Sequence, residues 1–156
     1  IENSLRPVRI PDIVPQLPAH VDFSMTAGDF LDVYGSSEHI GAWDCVITCF
    51  FLDTAQNVLR YLALIWKILK PGGLWLNLGP LQYHFEGTSL AARECSIELT
   101  WEEVVDAAEA TGFKFLDRDN FKLIDMPYAH DPLSLNRTLY QAILSQATKP
   151  ASNEFP

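Results

Sequence analysis

The sequence predicts an α/β fold whose sheet is mostly parallel and closes with an antiparallel strand at the C-terminus. Two almost unbroken apolar runs, 43–52 and 74–79, are typical of strands buried on both faces of a parallel sheet. A stretch with apolar residues at helical spacing lies between them. The final run, 138–146, alternates apolar and polar residues, which favours a strand nearer the edge of the sheet.

The composition is that of one globular domain. The chain has 156 residues, of which 48% are apolar, and this is enough for a packed core. A formal charge of −9 disfavours nucleic acid and anionic membranes as partners, because both require a basic surface. Three cysteines without a disulfide framework suit a reducing compartment, so we expect a cytoplasmic or also nuclear protein. We expect no metal site, because no second Cys or His pair stands at ligand spacing.

The N-terminal segment is expected to be an extended connector over residues 1–20. Proline fits neither a helix interior nor a central strand, and four prolines lie in this segment: Pro7, Pro11, Pro15 and Pro18. A short strand in VDFSMTAGDF is predicted to end at Gly28, with Asp29 and Phe30 just beyond it. Because the chain starts at Ile1 and not at Met, we expect it to be a section of a larger protein.

Two helices are predicted in the rest of the chain. Asp53 and Thr54 are expected to cap the first, which stops at the Pro-Gly-Gly sequence 71–73. The second runs from a capping box at Thr100 and Glu103 to Gly112 and is followed by a strand over 113–118. The polar tail 150–156 is expected to be disordered.

Four motifs carry a family resemblance: DFSMTAGDF (22–30), WDCVITCFFLDTAQN (43–57), IWKILKPGGLWLNLGP (65–80) and YHFE (83–86). Together they resemble the carnosine N-methyltransferase family of class I S-adenosylmethionine-dependent methyltransferases, over about residues 6–149. The resemblance implies a Rossmann-like sheet and an N-methyltransferase that converts carnosine to anserine.

The glycine-rich loop and the acid of the family's first two strands have no counterpart here. Residues 21–149 would therefore be the C-terminal part of a methyltransferase domain, a partial domain that lacks the first strands. In this fold the first strand lies between the third and the fourth. Strand 43–52 would then expose a long apolar edge, so we expect the isolated chain to be marginally stable or to aggregate.

The resemblance also implies a cofactor site for S-adenosylmethionine. Its Asp-Phe pair matches Asp29 and Phe30, with the acid bonded to adenosine and the ring packed against adenine. Its cofactor-lining cysteine matches Cys49. Without the resemblance, Asp29 could equally be a turn former, and Cys45 and Cys49 would be core thiols.

The implied substrate site holds a small dipeptide on Asp53, His84, Tyr128 and Tyr140. A neutral imidazole is the competent nucleophile, and its reference pKa of about 6.5 leaves it mostly neutral at cytosolic pH. As catalytic residues, Asp53 would accept a bond from the other ring nitrogen, and His84 would orient the substrate or help to remove the proton. The tyrosines would supply walls with hydroxyl groups.

Several alternatives remain open from the sequence. Asp53 could be only a helix cap, His84 a loop histidine bonded to backbone, and Tyr140 a core residue. The substrate could be another small molecule or a protein histidine. A truncated, catalytically inactive relative that serves as a partner-binding module is a second functional class, and a homodimer is compatible with either. A Rossmann dehydrogenase is disfavoured because its glycine fingerprint is absent.

Overall fold

The computed structural model describes residues 7, 9–13, 18–86, 96–116, 118–119, 121–128, 131 and 133–151. Its helices are α1 (Phe30–Tyr34), α2 (Val58–Ile68) and α3 (Trp101–Thr111), with short 3₁₀ turns at Ser37–His39 and Leu52–Thr54. Its strands are β1 (Trp43–Cys49), β2 (Leu69–Gly79), β3 (Lys114–Phe115), β4 (Lys122–Tyr128) and β5 (Thr138–Thr148). Among the described residues, every helix is too short or too polar to span a lipid bilayer.

The strands form one sheet in the order β1, β2, β5, with β3 and β4 both paired to the far edge of β5. β1 runs parallel to β2, whereas β5 runs antiparallel to β2, β3 and β4. Every described strand except β5 therefore points in the same direction. This confirms the predicted α/β fold with a mostly parallel sheet and an antiparallel C-terminal strand.

The helices α2 and α3 contact each other and share one core with the sheet. Asn57 caps α2 through a bond from the backbone amide of Leu59 (3.0 Å), so the predicted cap at Asp53 and Thr54 is wrong. Those two residues form a 3₁₀ turn, and the helix begins only after it. The predicted capping box of α3 is confirmed, as is the left-handed Gly112, whose φ is 119°.

A buried chain of polar groups fixes the register of the central strands. The Trp75 Nε1–H donates to Thr48 Oγ1 (3.0 Å), and the Thr48 hydroxyl donates to Asn77 Oδ1 (2.9 Å). The Asn77 amide then donates to the carbonyl of Ile143 (3.3 Å). If one of these strands slipped by one residue, its polar side chain would move to the other face and lose its partner. The hydrogen-bonded groups therefore fix β1, β2 and β5 in register.

Three strand predictions need correction. The residues 21–28 form no strand, and their backbone pairs with none of the strands among the described residues. β1 is not buried on both faces: Ile47 is 69% exposed, and Cys45 and Cys49 are exposed rather than core thiols. The strand predicted at 113–118 shrinks to Lys114–Phe115, and β4 was missed because Asp125 and Pro127 interrupt its apolar pattern.

The two ends of the chain are described only in part. Residues 7, 9–13 and 18–20 of the predicted connector have no helix or strand and are exposed, and the rest of 1–20 lies outside the described residues. In the predicted tail, Pro150 is buried and Ala151 is exposed, whereas 152–156 lie outside the described residues.

Candidate functional site

The carboxyl ends of β1 and β2 approach each other unusually closely. Phe50, the residue after β1, has φ 49°, a left-handed conformation that is rare for an aromatic residue and that concentrates at functional sites. Its amide donates to the carbonyl of Leu78 (2.8 Å). A Cβ on Gly79 would lie 3.0 Å from the Phe50 nitrogen and 3.1 Å from its Cα, so glycine permits this approach.

Asp53 anchors the segment that follows β2. Its side chain lies in the 3₁₀ turn after β1 and is only 3% exposed. Its Oδ2 accepts a hydrogen bond from the backbone amide of Gln82 (3.0 Å), and its carbonyl accepts one from the amide of His84 (3.1 Å). These bonds hold residues 82–84 against the end of β1. Asp53 does not line the grooves that Phe30, Asp29 and His84 border.

The two predicted tyrosines lie together beside this segment. The Tyr140 hydroxyl donates to Oε1 of Gln82 (2.8 Å). The ring of Tyr128 stands edge-on to that of Tyr140, with centroids 5.5 Å apart. Phe50 contacts both: its ring stacks on Tyr128 at 6.4 Å and lies edge-on to Tyr140 at 5.9 Å. The structure thus gathers Tyr128, Tyr140 and the Asp53-anchored segment at one end of the sheet.

His84 lies on the surface of the same segment. Its side chain is exposed and lines a shallow groove of ≈ 440 Å³ with Gln82, Tyr83 and Glu86. The backbone amide of His84 donates to the carbonyl of Asp53, a main-chain bond that does not involve the imidazole, so the site prediction and the alternative of a loop histidine both stay open.

Tyr83 turns inward between these exposed neighbours. It is 8% exposed, and its hydroxyl donates to the carbonyl of Leu99 (2.9 Å). Burial raises the pKa of the Tyr83 hydroxyl; the bond to Leu99 opposes this increase, and the nearby negative charge of Asp53 adds to it. Tyr83 therefore ties the segment to the loop before α3 while Asp53 ties it to β1.

The predicted cofactor residues border two adjacent grooves. Phe30 and Cys49 line an apolar groove of ≈ 410 Å³ between α1 and β1, together with Tyr34, Trp43 and Phe51. The ring of Phe30 packs edge-on against Phe51 at 5.3 Å, which fixes this wall.

Asp29 faces a smaller and more polar groove of ≈ 310 Å³ on the other side of α1, which Arg60 and Tyr61 also line. Its Oδ1 accepts hydrogen bonds from the amides of Leu31 (2.8 Å) and Asp32 (3.3 Å). The turn-former alternative for Asp29 is thus realised, as the cap of a short helix. Because both bonds go to Oδ1, within the described part of the chain Oδ2 keeps its lone pairs for a ligand.

Sequence reasoning missed two residues of this site. Phe50 is hidden inside an apolar run, and its positive φ has no sequence signal. Gln82 precedes the YHFE motif, but a glutamine in a loop gives no indication of its two partners. Among the described residues, no group of three or more His, Cys, Asp or Glu side chains could hold a metal ion.

Comparison with known proteins agrees with the resemblance stated from the motifs. The family model described as carnosine N-methyltransferase matches residues 1–151. Carnosine N-methyltransferase of Mus musculus is 44% identical over 149 residues, which are 95% of this chain and 35% of the mouse protein. That of Schizosaccharomyces pombe is 40% identical over 147 residues, 89% of this chain and 39% of the yeast protein.

Among solved structures, the arsenic(III) S-adenosylmethionine methyltransferase of Chlamydomonas reinhardtii has a TM-score of 0.49 and 14% identity, covering 82% of this chain and 44% of that chain. The chain spans a little over one third of the length of the mouse and yeast relatives. With a family model that matches nearly all of its length, the chain belongs to the carnosine N-methyltransferase family.

Proposed function

We propose that the protein carrying this chain is an S-adenosylmethionine-dependent N-methyltransferase that methylates the imidazole of a histidine-containing dipeptide, converting carnosine to anserine. The observation that carries the proposal is the family match over residues 1–151. The clustering of Tyr128, Tyr140 and the Asp53-anchored segment at the carboxyl ends of β1 and β2 supports it, because ligands of open α/β sheets bind at such ends.

The residues around α1 fit the nucleoside end of the cofactor. An apolar groove with an aromatic wall at Phe30 suits the adenine ring, and the Oδ2 of Asp29 can accept bonds from hydroxyl groups. Cys49 lines the same groove as Phe30. When bound, S-adenosylmethionine supplies a methyl group on a positively charged sulfur. Asp29, Phe30 and Cys49 would hold it and keep water away.

Asp53 is proposed to select the nitrogen that reacts. A neutral imidazole has one N–H and one free lone pair, so a carboxylate that accepts the N–H leaves the other nitrogen as the nucleophile. The carboxylate also stabilises the positive charge that develops on the ring. Asp53 is 3% exposed and lines none of the three grooves, so this role requires the imidazole to reach its carboxylate at the end of β1, where the charge is more effective than in water.

The anchoring bonds of Asp53 contribute to orientation. They hold the backbone of residues 82–84 in place, and with it the position from which the exposed His84 side chain extends. The His84 ring is proposed to orient the substrate or to accept the departing proton. Tyr128 and Tyr140 are proposed to wall the substrate. Alignment of reacting groups is worth about 7–11 kcal/mol of barrier, so a pre-formed segment has a large effect on rate.

Two substitutions at Asp53 separate its charge from its anchoring bond. Asp53→Asn keeps an oxygen that can accept from the Gln82 amide but removes the charge, whereas Asp53→Ala removes both. We expect both variants to lose about 100-fold or more in kcat with adenosylmethionine affinity changed by less than about threefold. Asp53→Ala should also lose about 1–3 kcal/mol of stability, because the Gln82 amide is left without its partner.

The measurements are steady-state methylation of carnosine, calorimetric titration of adenosylmethionine and urea unfolding. They are made in the longest form of the protein that carries this chain. Equal loss of turnover and cofactor affinity in Asp53→Asn would refute the assignment.

A second candidate is that the protein is an inactive relative that binds a partner. That partner could be a second copy of the chain, which would dock on the uncovered face of β1. The exposure of Ile47, Cys45 and Cys49 on that face favours it. Titration of adenosylmethionine into this chain and into the longest form distinguishes the candidates: binding by the longest form supports the enzyme, and its failure to bind supports the inactive relative.

A further inference from the structure

Gln82 contacts two of the proposed substrate residues through its two ends. Its backbone amide donates to Oδ2 of Asp53 (3.0 Å), and its side-chain Oε1 accepts the hydroxyl proton of Tyr140 (2.8 Å). Tyr140 lies on β5, 58 residues further along the chain. The residue therefore joins the end of β1 to the edge of the site formed by β5.

The bond to Gln82 decides what Tyr140 can offer a ligand. A phenol has a single proton and two lone pairs, and an amide oxygen has no proton to give. Once the proton of Tyr140 points at Gln82, the phenol oxygen can only accept from a third group. Tyr140 is thus set to recognise a hydrogen-bond donor on the ligand and to disfavour an acceptor.

The rings around Tyr140 indicate which donor. The rings of Phe50 and Tyr128 lie 5.9 Å and 5.5 Å from its centroid. Aromatic faces attract an ammonium group, and a phenol oxygen with free lone pairs accepts its protons. Under the proposed function, Asp53 accepts the N–H of the imidazole. The charged donor that remains is the terminal amine at the other end of the dipeptide.

We propose that Gln82 is a positioning residue that makes Tyr140 an acceptor for the protonated terminal amine of the dipeptide. The proposal deepens the proposed function and rests on it. It makes selectivity for a free amine depend on a side chain that, in this role, touches neither the cofactor nor the substrate.

The experiment compares two ligands and three variants in the longest form of the protein that carries this chain. The ligands are carnosine and its analogue without the amine, propionyl-histidine, which keeps the imidazole, the peptide bond and the carboxylate. Gln82→Leu removes the acceptor but keeps the backbone amide bonded to Asp53. Gln82→Glu keeps an acceptor for the Tyr140 proton. Gln141→Leu is the matched control, since Gln141 is exposed and adjacent side chains of a strand point to opposite faces.

For the wild type we expect the KM for propionyl-histidine to exceed that for carnosine by about tenfold or more, because a hydrogen bond to a charged group is lost. Gln82→Leu should reduce this ratio to about threefold or less by raising the KM for carnosine, with kcat changed by less than about twofold. Gln82→Glu should restore the ratio, and Gln141→Leu should leave it at the wild-type value. Calorimetric titration of both ligands without cofactor should show the same ratios in Kd.

The outcomes distinguish this inference from the proposed function. If the wild type methylates carnosine but Gln82→Leu keeps the full ratio, or if the wild type shows no preference for the amine, the inference is overturned and the proposed function stands. If the wild type does not methylate carnosine, the proposed function fails. The titrations then decide the inference: a Gln82-dependent preference for the amine supports it, and any other result overturns it.

Discussion

The two faces of the sheet both carry apolar residues, but one face is buried and the other is exposed. On one face, α2 and α3 cover the sheet, and Trp75 is 1% exposed among Val104, Ala108 and Phe113. On the other face, Ile47 of the equally apolar strand β1 is 69% exposed. Hydrophobicity alone does not distinguish the two, because burial depends on which element lies opposite.

The covered face also holds the polar groups that set the register. Thr48, Asn77 and Trp75 satisfy one another there, whereas the exposed face of β1 carries Cys45, Ile47 and Cys49 with no such network among the described residues. The covered face therefore specifies which strands pair and how. On the exposed face, Cys45, Ile47 and Cys49 instead line the groove beside Phe30.

The largest expected effect comes from truncating the covered face. Trp75→Ala should cost about 3–5 kcal/mol of unfolding free energy, because it empties a large buried volume and removes the donor to Thr48. Ile47→Ala on the exposed face is the matched control and should cost less than about 1 kcal/mol. Urea unfolding followed by circular dichroism measures both; similar losses would contradict the distinction between the faces.

A smaller, pH-dependent effect should come from Tyr83, which belongs to the covered core. Tyr83→Phe should cost about 0.5–1.5 kcal/mol at neutral pH through the lost bond to Leu99. The raised pKa of Tyr83 favours its neutral form in the folded state, so the wild type loses stability as pH rises above the unfolded pKa of about 10. The variant lacks this loss.

The stability difference between wild type and Tyr83→Phe should therefore shrink between about pH 9 and about pH 11. Urea unfolding at a series of pH values measures it. A difference that stays constant over this range would show that Tyr83 ionises alike in the folded and unfolded chains.

A substitution on the exposed face is expected to change stability least. It should nevertheless change the association of chains with one another. Ile47→Lys should alter the unfolding free energy by less than about 0.5 kcal/mol but should lower aggregation of the chain, because a charge protects an apolar edge strand. Leu135→Lys is the matched control: Leu135 is fully exposed outside any strand. Light scattering during incubation measures aggregation, and an equal decrease in both variants would attribute the effect to net charge alone.

Local signals predicted the parts of the fold that depend on neighbouring residues. The capping box at Thr100 and Glu103 and the left-handed Gly112 gave the bounds of α3, because their bonds join residues within one helix. The cap of α2 was misplaced because Asp53 is as good a capping residue as Asn57. Only the bond from Gln82, 29 residues away, shows that the Asp53 carboxylate serves another purpose.

The sequence by itself determined the fold class, the two longer helices, the family and the segments that hold the candidate site. These follow from apolar spacing, capping residues and motifs, because each of these signals lies within a short stretch of the sequence. Only the tertiary structure decided that β1 is exposed on one face, that Asp53 anchors residues 82–84 and that Tyr140 bonds to Gln82. Such contacts join residues far apart in the chain, and their partners are chosen by the packing of the strands that bring them together.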